Sequence, residues 1–129
     1  MGKGVLIDTD VLIDYIKGLC ELPKTQLYIS EIVLYEFIRG TKDIAEAKKT
    51  IEESFAVLFH DNRVIGKAAS IWVELRKDGK VLDDRDILIA ATAIVNDLEL
   101  LSRNVGHYRG LVRFGLKLFG GHENSFSER

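Results

Sequence analysis

Val5-Leu6-Ile7-Asp8-Thr9-Asp10-Val11-Leu12-Ile13-Asp14 changes its periodicity in mid-course. Three apolar residues, Val5 to Ile7, precede Asp8 in the manner of a buried strand. From Asp10 onward, Val11, Leu12, Tyr15 and Ile16 fall on one helical face while Asp10, Asp14 and Lys17 fall elsewhere. A strand that turns directly into a helix puts the turn residue at the strand's carboxyl end, where α/β sheets assemble their sites. Asp8 is that residue.

Outward from this stretch, strands and helices alternate at short spacing. Gly18 ends the first helix, and Leu19 to Thr25, with the only proline, Pro23, reads as a loop. Gln26 to Ile29 reads as a strand. Ser30 reads as the N-cap of a helix running to Gly40 that is apolar almost all round and therefore buried. Thr41 is positioned to cap a surface helix from Lys42 to about Ser54, with Ile44, Ala45, Ala47, Lys48 and Ile51 as one stripe. Phe55 to Phe59 reads as a fully buried strand. Asp61 caps a helix from Asn62 to about Lys77, with Ile65, Ala68, Ala69, Trp72 and Leu75 inward. After Asp78-Gly79-Lys80 and Asp83-Asp84-Arg85-Asp86 comes the most apolar helix, Ile87 to Val95, placed in the centre. Leu98 to Ser102 is a strand, Arg103 to Gly110 a loop or short helix, and Phe114 to Phe119 a last strand. The pattern predicts an α/β fold with a mainly parallel central sheet flanked by helices. It forms one domain over 1–119, with a polar tail over 120–129.

The totals bound the rest. A chain of 129 residues, 47% of them apolar, is long enough for a sizeable core. Eighteen basic against twenty acidic side chains give net charge -2, so any contact with nucleic acid must come from local clusters rather than a global field. Cys20 is the single cysteine, which rules out an internal disulfide and fits a reducing compartment. The first apolar run is broken by Asp8, Asp10 and Asp14, unlike a signal peptide, and no run approaches membrane-spanning length. The expected location is cytoplasmic, with no membrane partner.

Asp8 and Asp86 each precede a helix, where an aspartate also serves as an ordinary N-cap. Glu36 is harder to dismiss. It lies inside Ile32-Val33-Leu34-Tyr35-Glu36-Phe37-Ile38, where an ionised carboxylate needs a partner or a cation. Arg39 at i+3 is one candidate partner; a metal ion is the other. A helix crossing the carboxyl edge of a parallel sheet can lower Glu36 between Asp8 and Asp86. Three converging carboxylates either raise their own pKa values or bind a hard divalent cation. Oxygen ligands without cysteine or a histidine pair point to Mg²⁺ or Mn²⁺. Arg85 and Arg103 flank these positions and read either as phosphate holders or as surface ion pairs. Asp10, Asp83 and Asp84 read as solvated turn residues, and His60, His107 and His122 as satisfied loop histidines.

Four segments together carry a family resemblance: Ile7 to Asp14, Ile29 to Gly40, Asp84-Arg85-Asp86-Ile87-Leu88-Ile89-Ala90-Ala91-Thr92-Ala93, and Leu101-Ser102-Arg103-Asn104 to His107-Tyr108. In order and spacing, from Val5 to about Leu118, the chain resembles the PIN-domain nucleases, and within them the VapC-type toxins of toxin–antitoxin pairs. The resemblance implies a three-layer α/β/α fold and metal-dependent hydrolysis of single-stranded RNA, with Asp8, Glu36 and Asp86 as ligands of Mg²⁺ or Mn²⁺. It further implies a VapB-like antitoxin that plugs the acidic groove, and a homodimer formed through exposed faces of the helices that follow Thr41 and Asp61. The family often places a fourth aspartate in the loop after the fourth strand. Here that loop offers Ser102, Asn104 and His107: Asn104 as a neutral oxygen donor and Ser102 as a hydroxyl to position water. One negative charge fewer favours a single resting metal. Asp86 or Asp8 would help accept the proton from the attacking water.

Two other readings use the same residues. Asp8-Thr9-Asp10-Val11 also resembles the opening signature of haloacid-dehalogenase-type phosphatases, in which Asp8 would be the nucleophile. A catalytically inactive PIN-like binding module is the third reading, supported by the missing fourth aspartate.

Overall fold

The computed structural model describes residues 4–120. Most of the tail expected over 120–129, and His122 with it, lies outside them. The elements run β1 (Val5–Ile7), α1 (Thr9–Ile16), β2 (Leu27–Ser30), α2 (Glu31–Ile38), α3 (Ile44–Ser54), β3 (Ala56–Leu58), α4 (Asn62–Lys77), α5 (Asp84–Val95), β4 (Glu99–Leu101), α6 (Val105–Tyr108), a 3₁₀ turn (Arg109–Phe114) and β5 (Lys117–Leu118). The expected three-layer α/β/α architecture is the observed one. All four strand pairings are parallel, in the order β3-β2-β1-β4-β5.

That order places the site. From β1 the sheet grows outward through β2 to β3, then returns to the other side of β1 for β4 and β5. The reversal falls between β1 and β4, and in open α/β sheets a crevice opens outside the carboxyl ends of the strands at such a point. Asp8 sits there, its N–H donating to the Leu101 carbonyl across the gap. The core beneath is apolar: Leu6, Ile7, Val11, Leu12, Ile29, Ile89 and Leu100 are fully buried. The central placement of the Ile87–Val95 helix is observed too, since Ile89, Ala90, Ala91 and Ala93 reach no solvent.

Several local expectations are corrected. The strand read as fully buried is β3, an edge strand paired on one side only, with its residues half-buried and Phe59 exposed. An apolar run cannot announce its place in the strand order. Asp43 rather than Thr41 caps α3, accepting from the Glu46 N–H, while the Thr41 hydroxyl donates backward to the Ile38 carbonyl. On α3 only Ile51 is buried, and Ile44 is exposed. On α4 the buried face is Val64, Ala68, Ile71 and Leu75. Ile65 and Trp72 instead stand on the exposed side, where with Ile87 and Leu88 of α5 they line an apolar groove of about 350 Å³. Helix α2 is not buried all round either: Val33 and Leu34 are, whereas Tyr35 is exposed. The strand expected over Phe114 to Phe119 shrinks to β5, because the 3₁₀ turn runs to Phe114 and Gly115 follows in the left-handed conformation.

Candidate active site

Each acid reaches the crevice from a different element. Asp8 ends β1 and caps α1, its Oδ1 accepting from the Thr9 N–H at 2.7 Å. Ser30 caps α2 through its hydroxyl, and one and a half turns later that helix presents Glu36. Asp86 is not the cap of its helix, as its position had suggested. Asp83 holds the cap position of α5, without a side-chain cap bond, and Asp86 lies within the first turn, where a carboxylate meets the positive end of the helix dipole.

The structure brings Asp8, Glu36 and Asp86 together around one side chain, that of Arg85. Its Nη2 donates to Asp8 Oδ1 at 2.7 Å and to Thr9 Oγ1 at 2.9 Å. Its Nη1 donates to Asp86 Oδ1 at 2.6 Å, and its Nε to both Glu36 oxygens at 2.7 and 3.0 Å. The partner of Glu36 is therefore not Arg39, whose guanidinium lies over the Tyr35 ring, 4.9 Å from its centroid. Burial alone would lower the Arg85 pKa, but the hydrogen bonds to Glu36 and the charge of Asp8 outweigh it and leave it above the ordinary arginine value.

The carboxylates are also held independently of Arg85. The buried Ser102 hydroxyl donates to Asp8 Oδ2 at 2.8 Å and accepts from the Asn104 N–H at 3.0 Å. Ser102 thus fastens Asp8. Tyr108 Oη lies 3.1 Å from Asp8 Oδ2 and 3.2 Å from Asp86 Oδ1, bridging the two acids. Burial first, then the charges of Asp8 and Asp86, push its pKa upward, so the phenol stays protonated and remains a donor. The Thr9 hydroxyl donates to Glu36 Oε1 at 2.7 Å. Asn104 sits at the exposed mouth, lining with Asp8, Thr9, Asp10, Ile13, Glu36, Arg39 and Arg85 a cleft of about 390 Å³.

Asp10 is no solvated turn residue. Its oxygens accept from the Val11 N–H at 2.7 Å and the Arg103 N–H at 3.2 Å, tying α1 to the loop after β4. Burial, followed by the nearby Asp8 charge, raises its pKa. Arg103 forms an ion pair with Asp14 at 2.6 Å. His60 is a satisfied loop histidine, its Nε2 lying 2.8 Å from Ser30 Oγ. His107 is different: mostly exposed, it lies 3.4 Å from Asp86 Oδ2 at the rim of the site.

As they stand, with Arg85 among them, no three His, Cys, Asp or Glu residues among those described are arranged to hold a metal ion. The donor set nevertheless has the right chemistry: it is all oxygen, and three carboxylates against one guanidinium leave a formal excess of two negative charges. Asp8, Glu36 and Asp86 would hold a hard divalent cation in the place the guanidinium takes. Thr9 and Tyr108 are the members of this cluster that the sequence did not single out as site residues, and Arg85 was read as a phosphate holder or a surface ion pair, not as the partner of the three acids. Only Arg85, adjacent to Asp86, carried any signal.

Comparison with known proteins gives a consistent picture. The family model for the PIN domain matches residues 5–110. Ribonuclease VapC1 of Methanocaldococcus jannaschii is 37% identical over 119 residues, covering 89% of this chain and 86% of that protein. Ribonuclease VapC19 of Mycobacterium tuberculosis is 32% identical, covering 80% of this chain and 90% of its own length. Among solved structures, DNA-bound VapBC from Salmonella typhimurium superposes with a TM-score of 0.75 at 24% identity, over 92% of this chain and 97% of that one. VapBC-1 from nontypeable Haemophilus influenzae gives 0.73 at 22% identity, over 89% and 96%. These last two likenesses speak for the fold. Among the described residues, no helix is long and apolar enough to cross a membrane.

Proposed function

This chain belongs to the PIN-domain family, among its VapC-type members, and on that premise we propose that it is a divalent-metal-dependent endoribonuclease toxin that hydrolyses single-stranded RNA and is neutralised by a VapB-like antitoxin. The observation that carries the reading is the convergence of Asp8, Glu36 and Asp86, from three separate elements, on one cationic point at the carboxyl edge of the sheet. Capping of α1 accounts for Asp8 and the helix dipole for Asp86 one at a time, but neither accounts for their meeting with Glu36. Relatives named as ribonucleases support the substrate class, and neighbours solved as VapBC complexes support the antitoxin. With the opening strand assigned to this family, Asp8 is a ligand in this reading and not the phosphoryl-accepting nucleophile of a dehalogenase-type phosphatase.

The chemistry divides between ion and protein. Mg²⁺ or Mn²⁺ in the site would lower the pKa of a bound water and offset charge on the phosphoryl oxygens. The chain's own residues do the positioning. Ser102 and Tyr108 fix the Asp8 carboxylate, and Tyr108 ties it to Asp86. Thr9 orients Glu36, and Asn104 offers a neutral oxygen at the mouth. Asp8 or Asp86 receives the proton of the attacking water. Attack by water in place of the ribose 2′-hydroxyl leaves a 5′-phosphate and a 3′-hydroxyl. The cytoplasm is the matching compartment, and a homodimer belongs to the same reading, supported by the exposed Ile65, Trp72 and Val73 of α4 and tested by sedimentation.

The deciding experiment is cleavage of a mixed-sequence single-stranded RNA with Mn²⁺, with Mg²⁺ and with EDTA, beside Asp8→Asn and Glu36→Gln. Metal-dependent cleavage with 5′-phosphate ends, lost in both folded variants, is the expected result. Cleavage that persists in EDTA or in the variants overturns it. Absence of both cleavage and Mn²⁺ binding would leave the inactive-module reading standing.

A further inference from the structure

We propose that Arg85 is a displaceable internal counterion: its guanidinium occupies the cation position among Asp8, Glu36 and Asp86 while the site is metal-free, and a divalent ion enters by driving it out. This rests on the reading that those carboxylates ligate a divalent ion.

Arg85 satisfies the metal-free site well. A guanidinium offers five N–H donors in a rigid planar fork, and here all three nitrogens are engaged with Asp8, Thr9, Glu36 and Asp86. Without a cation, three carboxylates in a half-buried crevice would repel one another strongly. Arg85 relieves that repulsion but does not balance it, because a single positive charge faces three negative ones. A compact divalent ion supplies twice the charge to the same oxygens.

Three features make the guanidinium the group that yields. The carboxylates keep other anchors when it leaves: Ser102 and the Thr9 N–H for Asp8, the one Tyr108 O–H shared between Asp8 and Asp86, and the Thr9 hydroxyl for Glu36. The Arg85 side chain is 27% exposed and lines the 390 Å³ cleft, so it has somewhere to go. Its backbone lies in the first turn of α5 beside Asp86, and a rotation of the side chain alone frees the ligands without moving the helix. Metal loading and release of a positive charge into the cleft thereby become one event, and that charge is of the sign a phosphodiester needs.

The test uses metal-stripped full-length protein. Calorimetric Mn²⁺ titration is run on wild type, Arg85→Gln and Asp8→Asn. Mg²⁺ is titrated into ¹⁵N-labelled wild type while the Arg85 side-chain Nε–H signal is followed, assigned by its loss in Arg85→Lys. Removing a competitor that keeps the ligands engaged nine-tenths of the time or more raises apparent affinity by about tenfold or more. The expected results are tighter Mn²⁺ binding by Arg85→Gln in that measure, and a wild-type Nε–H signal that shifts and begins to exchange with water as Mg²⁺ saturates. Equal or weaker binding by Arg85→Gln overturns the competition while leaving the metal site intact, as does an Nε–H signal unmoved at saturation. Mn²⁺ binding that survives Asp8→Asn, or no binding by wild type and Arg85→Gln alike, overturns the metal reading itself and this proposal with it. If Arg85→Gln does not fold, the wild-type Nε–H signal decides alone.

Discussion

The two ends of the same parallel strands are built on opposite terms. At the carboxyl end, Asp8, Glu36, Asp86 and Arg85 crowd a cleft, with Tyr108 and Ser102 buried behind them. At the amino end, Gly4, Val5, Pro23, Lys24, Thr25, Glu99 and Phe119 line a smaller hollow of about 220 Å³. There the contacts are close: a Cβ on Gly4 would stand 2.6 Å from the Gln26 carbonyl oxygen and 2.7 Å from the Tyr28 ring. One end concentrates charge that the fold has to restrain. The other fits backbone against side chain. Substitutions at the carboxyl end should therefore cost activity before stability, and those at the amino end the reverse.

The comparison breaks most visibly at Asp8. Altering the partners that orient metal ligands typically costs ten- to a hundredfold, so if Asp8 is a ligand as proposed, Asp8→Asn should lower RNA cleavage by on the order of a hundredfold or more. Circular dichroism should show the variant still folded; a cleavage rate near wild type would remove the carboxyl end's claim. Tyr108→Phe deletes only the hydroxyl that bridges Asp8 and Asp86, and roughly ten- to a hundredfold weaker Mn²⁺ binding is expected from titration. Unchanged affinity would make Tyr108 a core residue and nothing more. For the amino end, Gly4→Ala should cost about 1–3 kcal/mol through overpacking, read as a lower midpoint in urea with cleavage per folded molecule unchanged. A variant as stable as wild type but slower would invert the assignment of the two ends.

The smallest effect is one of pH and sharpens the contrast at its boundary. Asp10 has its pKa raised above the ordinary 3.8, by burial and then by Asp8. A carboxyl that holds its proton more tightly folded than unfolded contributes stability below the unfolded pKa and loses it as pH rises through the folded one. Asp10→Asn should therefore gain on wild type in thermal stability as pH climbs through that window. A constant difference across pH would show that the raised pKa plays no part in stability.

What was legible in the sequence follows the same division. The strand–turn–helix at Asp8 and the apolar α5 could be read because periodicity and spacing are local. Glu36 stood out as a charge without a local reason to be among apolar residues. Arg85 could not be placed, because an arginine beside an acid in a turn looks alike whether it faces solvent or reaches residues 49 and 77 positions away. Tyr108 reads as one more core aromatic until its hydroxyl is seen 100 positions from Asp8 in sequence. The edge position of β3 depends on strand order, which no apolar run encodes. Asp43 and Thr41 are equally plausible caps two residues apart, and the backbone chose between them.

The central place of β1 also sets a timetable. Asp8 is made before all three of its fastenings at Arg85, Ser102 and Tyr108, which follow 77, 94 and 100 residues later. At ribosomal rates of about 5–20 residues per second, the interval is roughly 5–20 s. Throughout it, a growing chain carries the opening acid of a nuclease without the means to aim it. A chain of this topology cannot complete the cluster until Tyr108 has been made, and a message cut short between Asp8 and Ser102 yields a product without the hydroxyls that hold Asp8.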